Sequence, residues 1–284
     1  MTTMTETRVV SQAAPVHGSA FAEIWWVAYR SLLRVVRSPM ALFFSLMMPL
    51  IWLVMFSQSF GNLFQRGAVA PGGPALPYDF VAVMLPATIV MTAIQSASQS
   101  GFGMVADIES GFMDKFFVSP MRRSSVLLGK LLADGIRMGI QALLILTIAF
   151  VLTLVAGWRI PFATNVVGVV MIAVLAALFG VAFSGLSNTV ALRTKSTEAT
   201  MMASFSLTFP LLFMSTAMLP KALLPGWVQS VSTFNPVSYL ADAARALIIS
   251  GYDWTLIGKA LVAIAIVGAI LNGMAISAFR AQGK

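Results

Sequence analysis

Residues 40–60, MALFFSLMMPLIWLVMFSQSF, form a predominantly apolar run without a charged side chain. About 20 apolar residues in a helix span the roughly 30 Å hydrocarbon core of a bilayer, so this run predicts a membrane-spanning helix. The whole chain has the same character, because 58% of its residues are hydrophobic and only 10% are charged, with a mean hydropathy of +0.89. The 284 residues therefore predict an all-α polytopic membrane protein rather than soluble domains.

Five further apolar runs follow, and each is long enough to cross a membrane as a helix. The six predicted spans cover about residues 40–60, 80–103, 134–157, 165–190, 200–219 and 256–278. Residues 1–20 lack the pattern of a signal peptide and predict a flexible cytoplasmic tail, followed by one transmembrane domain over residues 21–280.

The distribution of Lys and Arg predicts the orientation of these spans. With the N-terminus placed in the cytoplasm, far more of these residues fall in inner than in outer segments, as the positive-inside rule requires. The net charge of +8 is explained in this way by loops near anionic lipid headgroups, and it does not indicate nucleic-acid binding. Both termini are predicted to lie in the cytoplasm.

Residues 21–37 predict an amphipathic helix before the first span. Trp25 belongs to the apolar face, and Arg30, Arg34 and Arg37 share the opposite face with Glu23. A basic helix with a Trp in its apolar face is typical of the membrane interface. The alternative is that these residues simply extend the first span.

The segment 220–252 predicts a re-entrant helical hairpin in the outer leaflet, before the sixth span. Pro225 precedes a short helix that starts at Trp227, Asn235-Pro236 forms a turn, and a second helix follows over about 237–249. The alternative is a seventh span over 231–250. It is disfavoured because Asp242 and Arg245 would each cost a few kcal/mol, by order of magnitude, at the middle of the bilayer.

Polar residues inside the spans are costly and often functional. Gln95, Ser98 and Gln99 share one face of the second span, where they line a substrate path or contact another helix. Asp134 and Arg137 are three residues apart near the inner end of the third span and predict an ion pair.

No catalytic residue and no metal site are predicted. His17 is the only histidine, cysteine is absent, and no GxxxxGK[ST] phosphate-binding loop is present. The chain is therefore expected to bind no cofactor and to hydrolyse no nucleotide by itself.

The segment 107–130, DIESGFMDKFFVSPMRRSSVLLGK, joins the second and third spans and cannot cross a bilayer, because charges interrupt it every few residues. It also carries Phe112, Phe116 and Phe117, which a plain solvated loop does not explain. The combination predicts a docking surface for a soluble partner. The predicted docking residues are Asp107, Glu109, Gly111, Phe112, Lys115, Phe116, Phe117, Pro120, Arg122 and Arg123.

Several short motifs occur in a recognisable order around these spans. They are Asp107/Glu109 with Gly111-Phe112, Ser119-Pro120 with Arg122-Arg123, Gly129-Lys130, Pro225-Gly226-Trp227, and Asn235-Pro236 with Asp242 and Arg245. Over roughly residues 20–280, the chain resembles the permease subunits of ABC-2 type bacterial exporters. It is most similar to the drug-efflux permeases of the daunorubicin/doxorubicin-resistance type.

The resemblance implies an ABC-2 type transmembrane domain in the bacterial cell membrane. It implies pairing with a second permease chain, identical or homologous, and with ATPase subunits that bind ATP and Mg. In that arrangement residues 107–123 are the cytoplasmic coupling helix, and the substrate is a small amphipathic drug or lipid-like molecule. The alternatives are an exporter of polysaccharide or lipid-linked glycan, and a membrane scaffold that docks a soluble partner without transporting anything.

Overall fold

The computed structural model describes residues 20–37, 39–65, 78–111 and 123–281. These residues form nine α-helices, one 3₁₀ turn at Lys221–Leu223 and no strand, so the all-α fold is confirmed for the described chain. The helices are α1 Ala20–Val36, α2 Pro39–Gln65, α3 Phe80–Glu109, α4 Arg123–Ala156, α5 Val166–Thr194, α6 Thr197–Phe213, α7 Gly226–Ser232, α8 Pro236–Ile249 and α9 Trp254–Ala281.

Five of the described helices are long and apolar enough to cross a membrane. These stretches are Leu42–Gly61, Phe80–Glu109, Ser125–Val155, Val166–Thr194 and Trp254–Ala281. They correspond to the first four and the last of the predicted spans, which confirms a multi-pass membrane protein. The remaining predicted span, 200–219, is only partly helical, because α6 has 17 residues and the chain bends after Phe213. A sixth crossing by α6 stays a prediction.

Helices α3 and α5 form the centre of the molecule. In the most apolar stretch of α3, 89% of the residues are buried within the chain, against 22% for α2 and 17% for α9. Helix α5 packs against α3, α4, α6 and α9. The outer helices therefore present large apolar side chains to the surrounding lipid, as membrane helices do.

Glycine allows α5 to approach its neighbours closely. A Cβ atom at Gly185 would lie 2.5 Å from the carbonyl carbon of Leu271 in α9. One at Gly101 of α3 would lie 2.8 Å from both the Cβ and the carbonyl oxygen of Ser187 in α5. Small residues at such crossings let membrane helices pack backbone to backbone, which maximises van der Waals contact.

Helix α1 packs along α4. Ala28 is fully buried, whereas Phe21 and Trp25 are 77% and 53% exposed, as lipid-facing side chains would be. Arg30 and Arg37 are exposed, and the side chain of Arg34 lies outside the described part of the structure. Glu23, which the sequence placed on the same face as the arginines, is buried. The interfacial position of α1 stays a prediction.

The two short helices expected before the last span are present as α7 and α8. Asn235 separates them and Pro236 occupies the first turn of α8, where its missing N–H has no cost. A continuous seventh span does not form, because the chain leaves the helix between Ser232 and Pro236. The position of the hairpin relative to the membrane stays a prediction.

Candidate functional site

A cavity of about 430 Å³ lies between α2, α3 and α6. We call it the α3 cavity. Its wall is dominated by aromatic and aliphatic side chains, with a few polar groups, most of them on α3. It is lined by Phe44, Ser45, Trp52, Met91, Ile94, Gln95, Ser98, Gln99, Phe102, Met201, Phe205, Thr208, Phe209, Leu212, Phe213 and Met218.

The polar groups of the α3 cavity include the residues singled out in the second span. Gln95, Ser98 and Gln99 occupy positions i, i+3 and i+4 of α3, so the helix directs all three to one side. Each is partly buried, and the Ser98 hydroxyl donates to the carbonyl of Ile94 at 3.2 Å. The structure therefore brings the three together at one cavity. Their contact with a substrate stays a prediction.

The opposite wall of the α3 cavity was not predicted from the sequence. Phe205, Phe209 and Phe213 follow each other at intervals of four in α6, and the rings of Phe209 and Phe213 stack 5.7 Å apart. This i, i+4 spacing of aromatic residues was the available signal. A cavity with aromatic walls and a few amide and hydroxyl groups suits a drug-sized amphipathic ligand.

The other side of α3 belongs to a buried polar network. Gln141 of α4 is fully buried, and its amide nitrogen donates to the Ser45 hydroxyl of α2 at 2.7 Å. The side-chain oxygen of the same Gln141 accepts a hydrogen bond from the Ser96 hydroxyl of α3. One amide thus joins three helices through satisfied hydrogen bonds.

A second part of the network connects α3, α4 and α5. Ser100 donates to the carboxylate of Asp134 and accepts from the amide of Asn188 at 3.2 Å. Asp134 pairs with Arg137 at 3.3 Å, as the sequence predicted. Arg137 also donates to the backbone carbonyl of Ser96 at 2.8 Å, which links the two parts. Charges in a membrane helix are tolerated when they are paired in this way inside the bundle.

Helices α3 and α4, which carry much of this network, lead to the segment that is predicted to dock a partner. Asp107, near the C-terminal end of α3, pairs with Lys130 of α4 at 3.7 Å. Glu109 is exposed, and Gly111 follows α3 with a φ of +64°, in the left-handed region that glycine adopts without strain. Phe112, Lys115, Phe116, Phe117, Pro120 and Arg122 lie outside the described residues, as does the side chain of Arg123, which begins α4. The docking surface stays a prediction.

The hairpin residues Asp242 and Arg245 form hydrogen bonds with the non-helical stretch that follows α6, residues 214–219. Arg245 donates to the carbonyl oxygens of Thr216 and Ala217 at 2.6 and 2.9 Å, and to Asp242 at 2.9 Å. The Thr216 hydroxyl donates to Asp242 at 2.7 Å. Burial raises the pKa of Asp242 above its ordinary value, against the opposing effects of Thr216 and Arg245. Arg245 therefore satisfies the backbone carbonyls of Thr216 and Ala217 beyond the end of α6, while Asp242 accepts from the side chains of Arg245 and Thr216.

Asn235 contributes to the same junction. Its amide nitrogen donates to the carbonyls of Leu211 and Met214 at 2.6 and 3.0 Å, and its oxygen accepts from the N–H of Val237 at the start of α8. Trp227, by contrast, is 62% exposed, and Pro225 is also exposed where α7 begins. Asn235 is therefore buried and joins α6 to α8, whereas Pro225 and Trp227 are exposed.

No group of three or more metal-ligating side chains occurs in the described ranges.

In comparisons with known proteins, a family model described as "ABC-2 type transporter" matches residues 22–249. The chain is 26% identical to "Daunorubicin resistance ABC transporter permease protein DrrB1" of Streptomyces coeruleorubidus, over 82% of this chain and 77% of that protein. It is also 26% identical to "Probable doxorubicin resistance ABC transporter permease protein DrrC" of Mycobacterium tuberculosis, over 78% of this chain and 75% of that protein.

Proposed function

The chain belongs to the ABC-2 type transporter family, and we propose that it is the membrane-spanning permease subunit of an ATP-driven exporter. A separate ATPase subunit binds ATP and Mg and supplies the energy, since this sequence has no phosphate-binding loop. The relatives named for daunorubicin and doxorubicin resistance support small amphipathic drugs or lipid-like molecules as the substrate class.

The α3 cavity is the observation that carries this proposal. Its volume of about 430 Å³ is within the usual range for drug-sized ligands, about 300–1,000 Å³. The aromatic walls bury the apolar part of a substrate, and Gln95 and Gln99 hydrogen-bond its polar groups. A long glycan is less well accommodated, because it would present polar groups to the apolar majority of the wall.

A second permease chain completes the path. Phe205 and Phe209 line the α3 cavity and are still 46% and 53% exposed in the single chain. Helix α6 is therefore only half covered by its own chain. A partner chain on this side, identical or homologous, encloses the substrate between two copies of the cavity.

Coupling to ATP hydrolysis passes through the ends of α3 and α4. These helices flank residues 107–123, where the ATPase docks on Phe112, Phe116 and Phe117. The buried network from Ser96 and Ser100 to Asp134 and Arg137 makes the two helices move together. A displacement of the docking segment then reaches the α3 cavity as a movement of α3.

The substrate path is tested by replacing both Gln95 and Gln99 with Leu. The chain is co-expressed with its ATPase, and ATP-dependent uptake of a fluorescent anthracycline is measured in inverted membrane vesicles. We expect uptake to fall about tenfold, since each lost hydrogen bond removes roughly 0.5–1.5 kcal/mol of substrate binding. The control is Thr147→Val in α4, an exposed position whose hydroxyl bonds only to the carbonyl of Leu143 in its own helix. Unchanged uptake in the double variant would contradict the assignment of Gln95 and Gln99 to the substrate path, whereas absence of ATP-dependent uptake by the unaltered protein would favour the non-transporting scaffold.

The docking segment is tested separately with Phe116→Asp. A charge in the apolar anchor weakens the ATPase contact, so we expect loss of substrate-stimulated ATP hydrolysis and of co-purification. The matched control is Phe234→Asp, because Phe234 is 88% exposed and lies in the hairpin between α7 and α8. Intact ATPase co-purification with Phe116→Asp contradicts the coupling-helix assignment.

A further inference from the structure

A second cleft, of about 820 Å³, opens between the α7–α8 hairpin and α9. It shares no lining residue with the α3 cavity. One end is lined by Lys221, Thr233 and Lys259, and the other by the apolar residues Val262, Ile266 and Val267 of α9. We call it the lysine cleft.

The lysine cleft changes from polar to apolar along the axis of α9. The 14 residues from Trp254 to Val267 rise about 20 Å, which is most of the hydrocarbon thickness. At the polar end Trp254 stacks on Tyr252 at 5.9 Å, and such aromatic pairs are typical of the membrane interface. At the apolar end Val262 and Ile266 are 60% and 56% exposed, so this end faces acyl chains.

The charges of the lysine cleft favour an anion. Lys221 donates only to the neutral hydroxyl of Thr233, at 3.2 Å, and Lys259 has no hydrogen bond or ion pair with any described residue. Asp242 is a carboxylate in the lining and attracts Lys221 through its charge, but its ion pair is with Arg245, at 2.9 Å. Neither lysine forms an ion pair with a described residue, so both ammonium groups can pair with a ligand anion.

We propose that the lysine cleft binds an anionic phospholipid. The phosphodiester lies between Lys221 and Lys259, and one acyl chain follows Val262 and Ile266 along α9. The leaflet is the one at the Trp254 end of α9, which the predicted orientation makes the outer leaflet. The ligand needs both parts, because free phosphate leaves the apolar end uncovered, and a zwitterionic lipid such as phosphatidylcholine brings the positive charge of its choline group close to the two lysines. This inference does not depend on the proposed transport function.

The chain contains a matched groove that lacks the charges. A groove of about 340 Å³ between α5 and α9 is lined by apolar residues only, among them Val170, Val174 and Leu261. Its lining side chains are of the same kind as those at the apolar end of the lysine cleft. It is expected to accept any phospholipid without regard to the headgroup.

The experiment uses the absence of cysteine from the chain. Single cysteines are introduced as Val262→Cys in the lysine cleft and Val170→Cys in the apolar groove, both at exposed positions. Each is labelled with bimane and the full chain is placed in phosphatidylcholine nanodiscs. Small amounts of spin-labelled phosphatidylglycerol or spin-labelled phosphatidylcholine then quench the fluorescence.

We expect phosphatidylglycerol to quench the label at position 262 at a lower mole fraction than phosphatidylcholine, and the two lipids to act equally at position 170. Each lysine near an anionic headgroup contributes about 1 kcal/mol, equivalent to about fivefold in affinity. Lys221→Gln and Lys259→Gln should therefore each weaken the preference about fivefold. Lys259→Arg should preserve it, and so should Lys195→Gln, which removes a lysine at the far end of α5.

Three results would overturn the proposal. The first is equal quenching by the two lipids at position 262. The second is loss of the phosphatidylglycerol effect on adding millimolar inorganic phosphate but not chloride of equal ionic strength, which would identify a site for soluble anions. The third is a disulfide between chains at position 262 that forms in the nanodisc, which would show that a second copy of the chain covers the cleft.

Discussion

Asp134 and Arg137 lie within a helix that is long and apolar enough to cross the membrane, and their side chains are only 11% and 13% exposed. An isolated charge at such a place costs several kcal/mol by order of magnitude. The cost is reduced here because Ser100 donates to the carboxylate and the carbonyl of Ser96 accepts from the guanidinium. Removing one charge leaves the other buried without its partner.

We therefore expect Asp134→Asn to lower the free energy of unfolding by roughly 1.5–3 kcal/mol, the range for hydrogen bonds to charged groups. Thermal unfolding of the purified chain in detergent measures the change. The combination Asp134→Leu with Arg137→Leu should recover much of the loss, since no unpaired charge remains. A double variant less stable than Asp134→Asn would show that the pair itself is strongly stabilising.

Asn235 has two roles that one substitution can separate. Its side-chain oxygen caps α8, and its amide nitrogen donates to carbonyl groups at the end of α6. Aspartate caps a helix as well as asparagine does, but it has no amide hydrogens to donate to the carbonyls of Leu211 and Met214. If Asn235 joins α6 to α8, Asn235→Asp should cost about 1–3 kcal/mol through repulsion between oxygens. The same thermal unfolding assay applies, and a neutral effect would reduce the role of Asn235 to helix capping.

Between the helices, α5 and α9 approach each other closely at Gly185, where a Cβ atom would lie 2.5 Å from the carbonyl carbon of Leu271. A methyl group there would collide with the backbone of α9, which cannot move away as a flexible side chain can. We expect Gly185→Ala to destabilise the protein by about 1–3 kcal/mol through overpacking. The matched control is Gly273→Ala in α9, because a Cβ at Gly273 would meet nothing within 4 Å. Equal Tm values for the two variants would contradict the close packing.

The two faces of α3 show what a sequence can and cannot predict about an element. The spacing of Gln95, Ser98 and Gln99 was enough to place them on one side, because that depends only on the helix itself. The partners of Ser96 and Ser100 were not predictable. Gln141 and Asn188 belong to other helices, and their position depends on the rotation and depth of each helix in the bundle, which no single helix encodes.

At the scale of the whole molecule, the residues that interrupt helices were the most informative signal for the limits of the short helices. Pro225 and Asn235-Pro236 predicted the limits of α7 and α8 to within a few residues, because backbone chemistry there is local. The end of α6 was not predictable in the same way. Residues 214–219 are apolar enough to continue a span, and they leave the helix where Arg245 and Asn235 supply alternative hydrogen bonds.

The orientation of the whole chain follows from the positive-inside rule and is open to direct measurement. Thr197→Cys lies next to Arg193 and Lys195, and Ser230→Cys lies in α7; both positions are exposed. A membrane-impermeant maleimide should label Ser230→Cys in intact cells, and Thr197→Cys only after permeabilisation. The reverse order of labelling would invert the predicted topology.

The 214–219 stretch also bears on how the protein is made. Its carbonyl groups at Thr216 and Ala217 are bonded by Arg245, which is 29 residues from Thr216 along the chain. At about 5–20 residues per second, the ribosome adds Arg245 roughly 1.5–6 seconds after Thr216. During that interval the carbonyl groups of Thr216 and Ala217 lack these partners, and hydrocarbon does not tolerate bare backbone groups. If α6 crosses the membrane, we therefore expect it to insert fully only after α8 is synthesised, so that the two enter the bilayer as one unit.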